Sequence, residues 1–481
     1  MIADKINPPL IPEDLLQTWS HTVQTSLRDL LQKPNLTMGH LEALLEAQGD
    51  KLLLPILSAA AQQLADRQPF QCASCQRPLR AVDNQRERTV KAVFGSFAFQ
   101  RDYGWCPTCQ RYWHPADHAM GLLPQAPASP RVQEICALLS LRSPYSQAAK
   151  DAQRLTGLSL HPSFVHREAV RQGQRAMALR ELDIDLSQTP QGLAELSARS
   201  VTSQLAPFTL IIQVDAWNIR ERDDWGKTRK LRLKGQDPER WHWVFTGTVF
   251  RLDQRGQTQG GRCFISERGY VATRQGLESF TKQLYVEALL RGLLHAEKVL
   301  IIADGAIWIW NLAADRFKEA KQRVDLFHVK EHLYELARTL YGEGTPQAQQ
   351  WLQPLLRFLE RRNDGALDVL HSLEDLRQRL QNLTASQREA LDKEIGYFTT
   401  HHKRMDYKQG KANGEPVGSG VVESTARQYQ TRFKGTGQFW TLAGDEPLLA
   451  LSTLDRNERW HLLFPHARPA AKQGSEVPIR K

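Results

Sequence analysis

Two stretches of consecutive apolar residues stand out from the otherwise mixed pattern of the chain. Residues 208–214 read FTLIIQV and residues 299–303 read VLIIA, and each run is followed directly by an acid, Asp215 or Asp304. Unbroken Val/Leu/Ile runs of this length predict strands that are buried on both faces. A carboxylate inside such a strand is costly. Both acids are therefore expected at the C-terminal edge of a sheet, where open α/β sheets place their ligands.

The neighbouring pattern predicts the rest of this sheet. Further strands are expected at 241–252, at 262–266 with 270–273, and at 323–327, with a helix at 277–294. Three strands, a helix, a strand, a helical turn and another strand predict a mixed α/β sheet. Leucines at helical spacing in residues 329–400 predict an all-helical insertion. A Gly-rich loop at 410–420 then leads into a helix at 421–433 that carries Glu423 in its first turn.

The N-terminal half shows other periodicities. Residues 88–94 and 96–103 alternate like two strands of a hairpin with Gly95 at the turn. Helices are expected at 132–141, 146–155 and 163–171, and the last two are joined by a short turn that contains glycine. That arrangement is typical of a helix-turn-helix, although many helical hairpins share it. Arg167 and Arg171 on the third helix would then meet phosphates or base edges.

These patterns divide the chain into five segments. They are a helical segment at 1–66, a zinc ribbon at 67–126, a helix-turn-helix region at 127–200, a catalytic α/β domain at 201–465 with the helical insertion at 329–400, and a flexible tail at 466–481.

Charge and composition favour a polyanionic partner. The chain has 481 residues and a net charge of +10, and nucleic acid is the commonest polyanion that a basic globular protein meets. An ordinary protein that happens to be basic is the alternative. The longest apolar stretch, 52–61, is interrupted by Pro55 and is too short to span a bilayer. We expect no membrane association and a cytoplasmic, nucleoid-associated location.

Four of the six cysteines form two CxxC pairs, Cys72 with Cys75 and Cys106 with Cys109. Four thiolates from two tight turns predict a closed tetrahedral site for structural Zn²⁺. The linker 76–105 is longer than in compact zinc sites, and the predicted hairpin accounts for it. The alternatives are a redox pair or buried free thiols. The two remaining cysteines, Cys136 and Cys263, are expected in the core.

Asp215, Asp304 and Glu423 form a candidate carboxylate cluster. Hard divalent ions such as Mg²⁺ or Mn²⁺ bind carboxylate oxygens, and two such ions catalyse phosphoryl transfer. Each acid also has a plain structural interpretation, because a strand-end Asp often forms a turn or caps a helix and Glu423 is spaced to pair with Arg427. Arg427, Arg432 and Lys434 would follow a phosphate backbone or belong to a solvated helix face.

In their order, spacing and residue types, the short motifs of residues 208–460 resemble those of the DDE transposases with an RNase H-like core, in particular the ISKra-type insertion-sequence family. The resemblance is carried by five motifs: Gln213-Val-Asp215; Ala303-Asp304-Gly-Ala306 with Trp308; Asp325-Leu-Phe-His328 with His332; Gly418-Ser-Gly-Val-Val-Glu423; and Arg432-Phe-Lys-Gly435 with Gly437 and Trp440.

This resemblance implies an RNase H-like mixed sheet with Asp215, Asp304 and Glu423 as the metal-binding catalytic triad. Asp325 and His328 would support that site. The implied reaction is hydrolysis at the transposon ends, followed by attack of the freed 3′-hydroxyls on target DNA. The implied partners are the terminal inverted repeats and target DNA, bound by a homo-oligomer. Two alternatives stay open, namely a DNA-binding protein without catalysis and a nuclease of the same fold that cuts but does not join.

Overall fold

The computed structural model describes residues 13–200, 206–222, 226–236, 240–258, 260–261, 263–380 and 382–468. Most of the predicted tail, the first twelve residues of the predicted N-terminal segment and Arg262 of the predicted strand 262–266 lie outside this part. The chain forms two compact units, Met1–Ala169 and Val170–Lys481. Among the described residues, no helix is long and apolar enough to cross a bilayer.

The first unit combines helices with a small antiparallel sheet. Its elements are α1 (Glu13–Leu31), α2 (Met38–Asp66), β1 (Arg80–Ala92), β2 (Gly95–Cys106), β3 (Arg111–Trp113), α3 (Pro115–Ala119), α4 (Pro130–Arg142), α5 (Tyr145–Thr156) and the start of α6 (Pro162–Leu186), a helix that continues into the second unit.

The sheet of the first unit has the strand order β1-β2-β3. β1 and β2 form the long hairpin that the alternating pattern predicts, with Ala92 paired to Gly95. The turn between β2 and β3 holds the second CxxC pair, because Cys106 ends β2 and pairs with Arg111. Strand pairing therefore fixes the position of one half of the cysteine cluster.

The helices α4, α5 and α6 begin within two residues of the starts that the sequence predicts. Ser129 caps α4 by accepting a hydrogen bond from the backbone of Val132 at 3.4 Å. α5 ends at Gly157, whose φ of 70° lies in the left-handed region where glycine is favoured. Cys136 is fully buried in the apolar cluster that these helices share, as its position on an apolar helical face predicts. α6 is much longer than the predicted helix 163–171.

The second unit is a mixed α/β structure. Its further elements are α7 (Pro190–Ala198), β4 (Thr209–Glu221), α8 (Thr228–Leu233), β5 (Arg240–Arg251), β6 (Arg255–Gln257), β7 (Cys263–Ile265), β8 (Gly269–Thr273), α9 (Leu277–Leu290), β9 (Lys298–Ala303), α10 (Ile307–Arg316), β10 (Lys321–Val324), α11 (Leu326–Tyr341), α12 (Pro346–Arg361), α13 (Gly365–Arg379), α14 (Ala385–His401), α15 (Tyr407–Ala412), α16 (Gly420–Phe433) and α17 (Leu442–Arg456).

The main sheet of this unit has the strand order β10-β9-β4-β5-β8. β5 is antiparallel to both of its neighbours, β4 and β8, whereas β9 and β10 run parallel to β4. The sheet is thus mixed, and the C-terminal ends of β4, β9 and β10 lie at the same edge. β6 and β7 form a separate two-stranded ribbon, in which Cys263 is exposed, so the prediction that this thiol is buried was wrong.

Both faces of the sheet are covered by apolar packing. Ile211, Leu300 and Ile302 pack with Val421 at the start of α16 on one face. Leu210, Ile212, Val214, Ile301 and Ala303 face the larger core, which the helices from α9 to α14 complete. This double burial explains why the first part of β4 and nearly all of β9 are dominated by apolar residues.

Between β10 and α16 the chain is helical wherever it has regular structure. The buried Arg323 of β10 holds the returning segment, since its guanidinium donates to Asp406 at 2.8 Å, to Glu415 at 2.6 Å and to the carbonyl of Pro416 at 2.9 Å. Arg323 is fully buried, so these partners compensate its charge. The loop that leads into α16 is thereby fixed to the sheet.

Candidate functional site

The two CxxC pairs converge on one point of the first unit. The four Sγ atoms all lie within 4.8 Å of one another. The Sγ atoms of Cys72 and Cys109 are 3.8 Å apart, and those of Cys75 and Cys106 are 3.5 Å apart. Sulfurs bound tetrahedrally at about 2.3 Å from a zinc ion are about 3.8 Å apart, whereas a disulfide needs about 2.05 Å. The spacing fits four metal ligands and does not fit two disulfides.

The local backbone explains why the thiols converge. In each pair the residue that follows the second cysteine returns a backbone hydrogen bond of 2.9 Å to the carbonyl of the first, from Gln76 to Cys72 and from Gln110 to Cys106. Both glutamines have a positive φ, 59° and 51°. Two matching turns thus present their sulfurs to one centre, so this cluster can bind a structural metal such as zinc.

The strand-end acids of the second unit lie side by side. The parallel register pairs Gln213 of β4 with Ile302 of β9, and two residues further the same register aligns Asp215 with Asp304. Ala303 pairs with Val324 of β10, so Asp325 aligns with Asp304 in turn. Asp304 and Asp325 directly follow β9 and β10, whereas Asp215 lies inside β4, which continues to Glu221. The prediction that Asp215 ends its strand was therefore wrong, although the three acids still align across neighbouring parallel strands.

Glu423 reaches this edge from α16, which is fastened to the sheet by Gln213. The fully buried Gln213 side chain donates through Nε2 to the carbonyl of Gly418 at 3.1 Å, and its Oε1 accepts from the backbone N–H of Val422 at 3.2 Å. Sequence reasoning gave Gln213 no role of its own. The available signal was a polar residue inside an apolar strand, which needs buried partners.

The electrostatics of Asp215 show that these acids act on one another. Burial raises the pKa of the Asp215 carboxyl, and the negative charges of Asp304 and Glu423 raise this pKa further. The backbone N–H of Ala216 and the charge of His328 oppose the rise. A site that crowds carboxylates in this way favours a cation among them.

Asp304 also serves the local backbone. Its Oδ1 accepts from the N–H of Ala306 at 3.0 Å, across Gly305, whose φ is 106°. Asp304 therefore forms a turn, as its structural interpretation predicts. This hydrogen bond uses Oδ1 and leaves Oδ2 as a possible metal ligand. Among the described residues, no group of three potential ligand atoms within 4.8 Å of one another includes Asp215 or Asp304.

Asp325 is almost fully committed to hydrogen bonds. Its Oδ1 accepts from the N–H groups of Phe327 at 2.5 Å and His328 at 3.2 Å, which caps α11. Its Oδ2 accepts from both the N–H and the hydroxyl of Ser419. The prediction that residues 323–327 form a strand was wrong at its end, because this cap starts a helix at Leu326.

Ser419 connects Asp325 to Glu423, because its hydroxyl also lies 3.1 Å from Glu423 Oε1. Ligand atoms of Asp325, His328 and Glu423 lie within 4.8 Å of one another. Burial would raise the pKa of Asp325, but His328, Ser419 and the backbone N–H groups outweigh burial and lower it. The nearby Asp325 carboxylate, 3.8 Å from Nδ1 of His328, raises the pKa of that histidine to about 9. His328 is therefore cationic at neutral pH.

Tyr397 of α14 brings the helical region to the same edge, and sequence reasoning missed it. Its ring stacks on His332 with centroids 4.1 Å apart, and His332 in turn bonds Glu394 at 2.9 Å. Its hydroxyl lies 3.2 Å from where a Cβ on Gly305 would stand. Burial raises the Tyr397 pKa, and the charges of Glu394, Asp304 and Asp325 add to the rise.

The basic candidates differ in exposure. Arg167, Arg427 and Lys434 are exposed and Arg171 is half-buried. Arg432 is only 7% exposed, and its guanidinium lies 4.9 Å from the ring centroid of Trp440, so packing is an evident task of this side chain. Lys434 Nζ lies 5.4 Å from the ring centroid of Trp217.

No model of a known protein family matches the chain. The chain is similar to the "UPF0236 protein in vanSb 3'region" of Streptococcus gallolyticus, with 24% identity over 409 residues. The similarity covers 83% of this chain and 79% of that protein. It therefore extends over parts of both units. The relative's name gives a genomic position and no activity.

Proposed function

We propose that the chain is a DNA transposase of the insertion-sequence type, with an RNase H-like catalytic core that cuts transposon ends and joins them to target DNA. The observation that carries the proposal is the convergence of Asp215, Asp304 and Glu423 on one edge of the mixed sheet. Three antiparallel strands, a helix and two further strands parallel to the first fit the core that the sequence motifs imply.

The three acids are proposed to share a pair of divalent ions, since among the described residues neither Asp215 nor Asp304 belongs to a compact group of three ligand atoms. Asp215 and Asp304 stand beside each other on neighbouring strands, and Glu423 approaches from a separate helix that Gln213 and Ser419 hold. These three carboxylates would hold Mg²⁺ or Mn²⁺, which supplies positive charge to the attacking and leaving oxygens of phosphoryl transfer. Asp325 accepts four hydrogen bonds and would instead position Ser419 and Glu423.

The proposed reaction has two steps. In the first, a water oxygen bonds to the phosphorus at the transposon end, the bond from phosphorus to the 3′-oxygen breaks, and that oxygen takes a proton. In the second, the freed 3′-hydroxyl bonds to a phosphorus of target DNA, loses its proton, and displaces a target 3′-oxygen. The tetracysteine cluster would hold a structural Zn²⁺, and the basic residues Arg167, Arg171, Arg427, Arg432 and Lys434 are proposed to contact DNA.

The test compares wild type with Asp304→Asn on supercoiled DNA that carries the element's own ends, in Mg²⁺ or Mn²⁺. Asparagine keeps the acceptor for the Ala306 N–H and removes the charge, so the fold should persist. We expect metal-dependent nicking at the ends and a loss on the order of 100-fold or more in the variant, since even outer partners of metal ligands are worth about 10–100-fold. Asp315→Asn, the same change in the following helix, should act like wild type.

Other outcomes separate the alternatives. Equal activity of wild type and Asp304→Asn would remove Asp304 from the site and overturn the proposal. Cleavage without joining of the ends to target DNA would favour a nuclease. Binding to the ends without any cleavage would favour a DNA-binding protein that has no catalytic activity.

A further inference from the structure

The β4–β5 hairpin continues beyond the point where the acids lie. β9 pairs with β4 only as far as Gln213, and β8 pairs with β5 only over residues 245–249. β4 and β5 nevertheless stay paired with each other to Glu221 and Arg240. A two-stranded ribbon therefore projects from the acid edge of the sheet.

One face of this ribbon carries exposed aromatic rings. Trp241 is 61% exposed and Trp243 is 55% exposed, and the two residues are on the same face of β5 because they are two positions apart. Their partners across the ribbon are Arg220 and Asn218. Large exposed apolar groups that stand together on a protein surface mark a binding site more often than scattered ones do.

A third aromatic residue, from elsewhere in the chain, completes this surface. Trp440 forms a bridge to Glu221, which brings Phe439 to the ribbon. The guanidinium carbon of Arg220 lies 4.3 Å from the ring centroid of Phe439 and 5.8 Å from that of Trp241. We call Arg220, Trp241, Trp243 and Phe439 the aromatic platform.

Basic side chains outnumber acids in the connection that follows the platform strand β4. Residues 223–239 of the connection between β4 and β5, which contains α8, carry five basic side chains and four acids, Asp223, Asp224, Asp237 and Glu239. These basic residues are Lys227, Arg229, Lys230, Arg232 and Lys234. Arg222 adds a guanidinium whose central carbon is 3.3 Å from the Phe439 ring centroid. A partner that is both polyanionic and rich in flat rings matches this surface.

We propose that the aromatic platform binds unpaired bases of a nucleic-acid strand by stacking. Same-face residues of a strand are about 7 Å apart, about twice the 3.4 Å that one nucleotide occupies along a stacked strand, so bases can alternate with the tryptophans. A base in duplex DNA has no free face for such stacking, which selects single-stranded or opened DNA. That the strand is transposon DNA rests on the proposed function.

The platform's position defines which bases it would bind. Trp243 pairs with Asn218, three residues beyond Asp215, or about 10 Å along the ribbon. Alternation places the platform on the opposite face of β4 from Asp215. The platform would therefore hold bases a few nucleotides from the cut and not the nucleotide being cut.

The test measures binding of the full chain to a labelled oligothymidylate of twenty nucleotides in buffer without Mg²⁺ or Mn²⁺ and without chelator, where the proposed cleavage cannot occur and a structural Zn²⁺ is retained. We expect Trp241→Ala with Trp243→Ala to weaken this binding by about 5–150-fold for each base that loses a stacking partner. Binding to a duplex of the same length should change by less than about two-fold. Trp241→Phe with Trp243→Phe keeps flat rings and should retain most of the affinity, which separates stacking from a folding defect.

Tyr334→Ala removes an equally exposed aromatic ring from α11 and serves as the matched control. The proposal is overturned if wild type does not bind the oligonucleotide in the absence of Mg²⁺ and Mn²⁺, or if the double alanine variant binds it like wild type. It is also overturned if single-stranded and duplex binding fall equally. Platform-dependent binding by a protein that never cleaves in Mg²⁺ would uphold the platform and refute only the proposed catalysis.

Discussion

Removing the carboxylate of Asp325 should loosen the start of α16 and with it Glu423. Asp325→Ala leaves the buried N–H of Ser419 without an acceptor, which costs about 1–3 kcal/mol. It also removes the cap of α11, which costs about 0.5–2 kcal/mol. Added together, the two effects give an expected loss of about 1.5–5 kcal/mol in the stability of this region.

Asp325→Asn separates the two contributions. Asparagine caps helices as well as aspartate does, so α11 should keep its cap. Its amide group, however, would meet the Ser419 N–H and hydroxyl, which are both donors. We therefore expect Asn to lose only the buried contribution, about 1–3 kcal/mol, and Ala to lose more.

Hydrogen exchange of residues 417–424, followed by mass spectrometry, measures this local opening directly. Faster exchange than wild type in both variants, with additional fast exchange at 326–330 in Ala alone, is the expected result. Unchanged exchange at 417–424 in Asp325→Asn would show that Asp325 does not hold Ser419. Glu423 would then owe its position to Gln213 alone, and the assigned role of Asp325 would be refuted.

Two further predictions concern parts of the chain other than Asp325 and its hydrogen-bond partners. Cys75→Ser should abolish the binding of zinc, measured as metal per purified chain, and lower the melting temperature of the first unit, whereas Cys263→Ser, which changes an exposed thiol outside the cluster, should do neither. A wild-type chain without zinc would contradict the metal assignment. Burial raises the pKa of Asp445 to about 9, and the neighbouring Glu221 adds to the rise, so the folded state holds a proton that the unfolded state releases near pH 4. Wild-type stability should therefore fall as the pH rises from about 4 to about 9, and Asp445→Asn should lack this decline in urea unfolding followed at several pH values.

Several strands could be predicted because burial on both faces leaves a clear mark on the sequence. The runs before Asp215 and Asp304 are the first half of β4 and the whole apolar part of β9. The extension of β4 to Glu221 could not be predicted locally, because β5 and the Trp440 segment stabilise it from distant parts of the chain. α6 continues past the predicted boundary and through Gly173, because the strong helix formers of residues 174–182, QRAMALREL, outweigh that glycine.

The candidate site shows the same division. Strand-end acids are visible in the sequence, and their parallel alignment follows from register once β4, β9 and β10 are known to be neighbours. The order of those strands is a tertiary property that periodicity does not contain. Tyr397 had no signal at all, because it belongs to a helical region whose spacing indicates only packing. Whether the aligned acids bind metal and cut DNA stays a prediction.

The buried Arg323 anchors the end of the helical region independently of the loops within that region. Its guanidinium holds Asp406, Glu415 and Pro416, so the chain returns to the sheet at a point that β10 itself determines. The connection between α12 and α13, at residues 362–364, lies well before that anchor along the chain. Extra residues inserted there need not displace α16, which makes this connection the natural place to graft a tag or a foreign domain without moving Glu423.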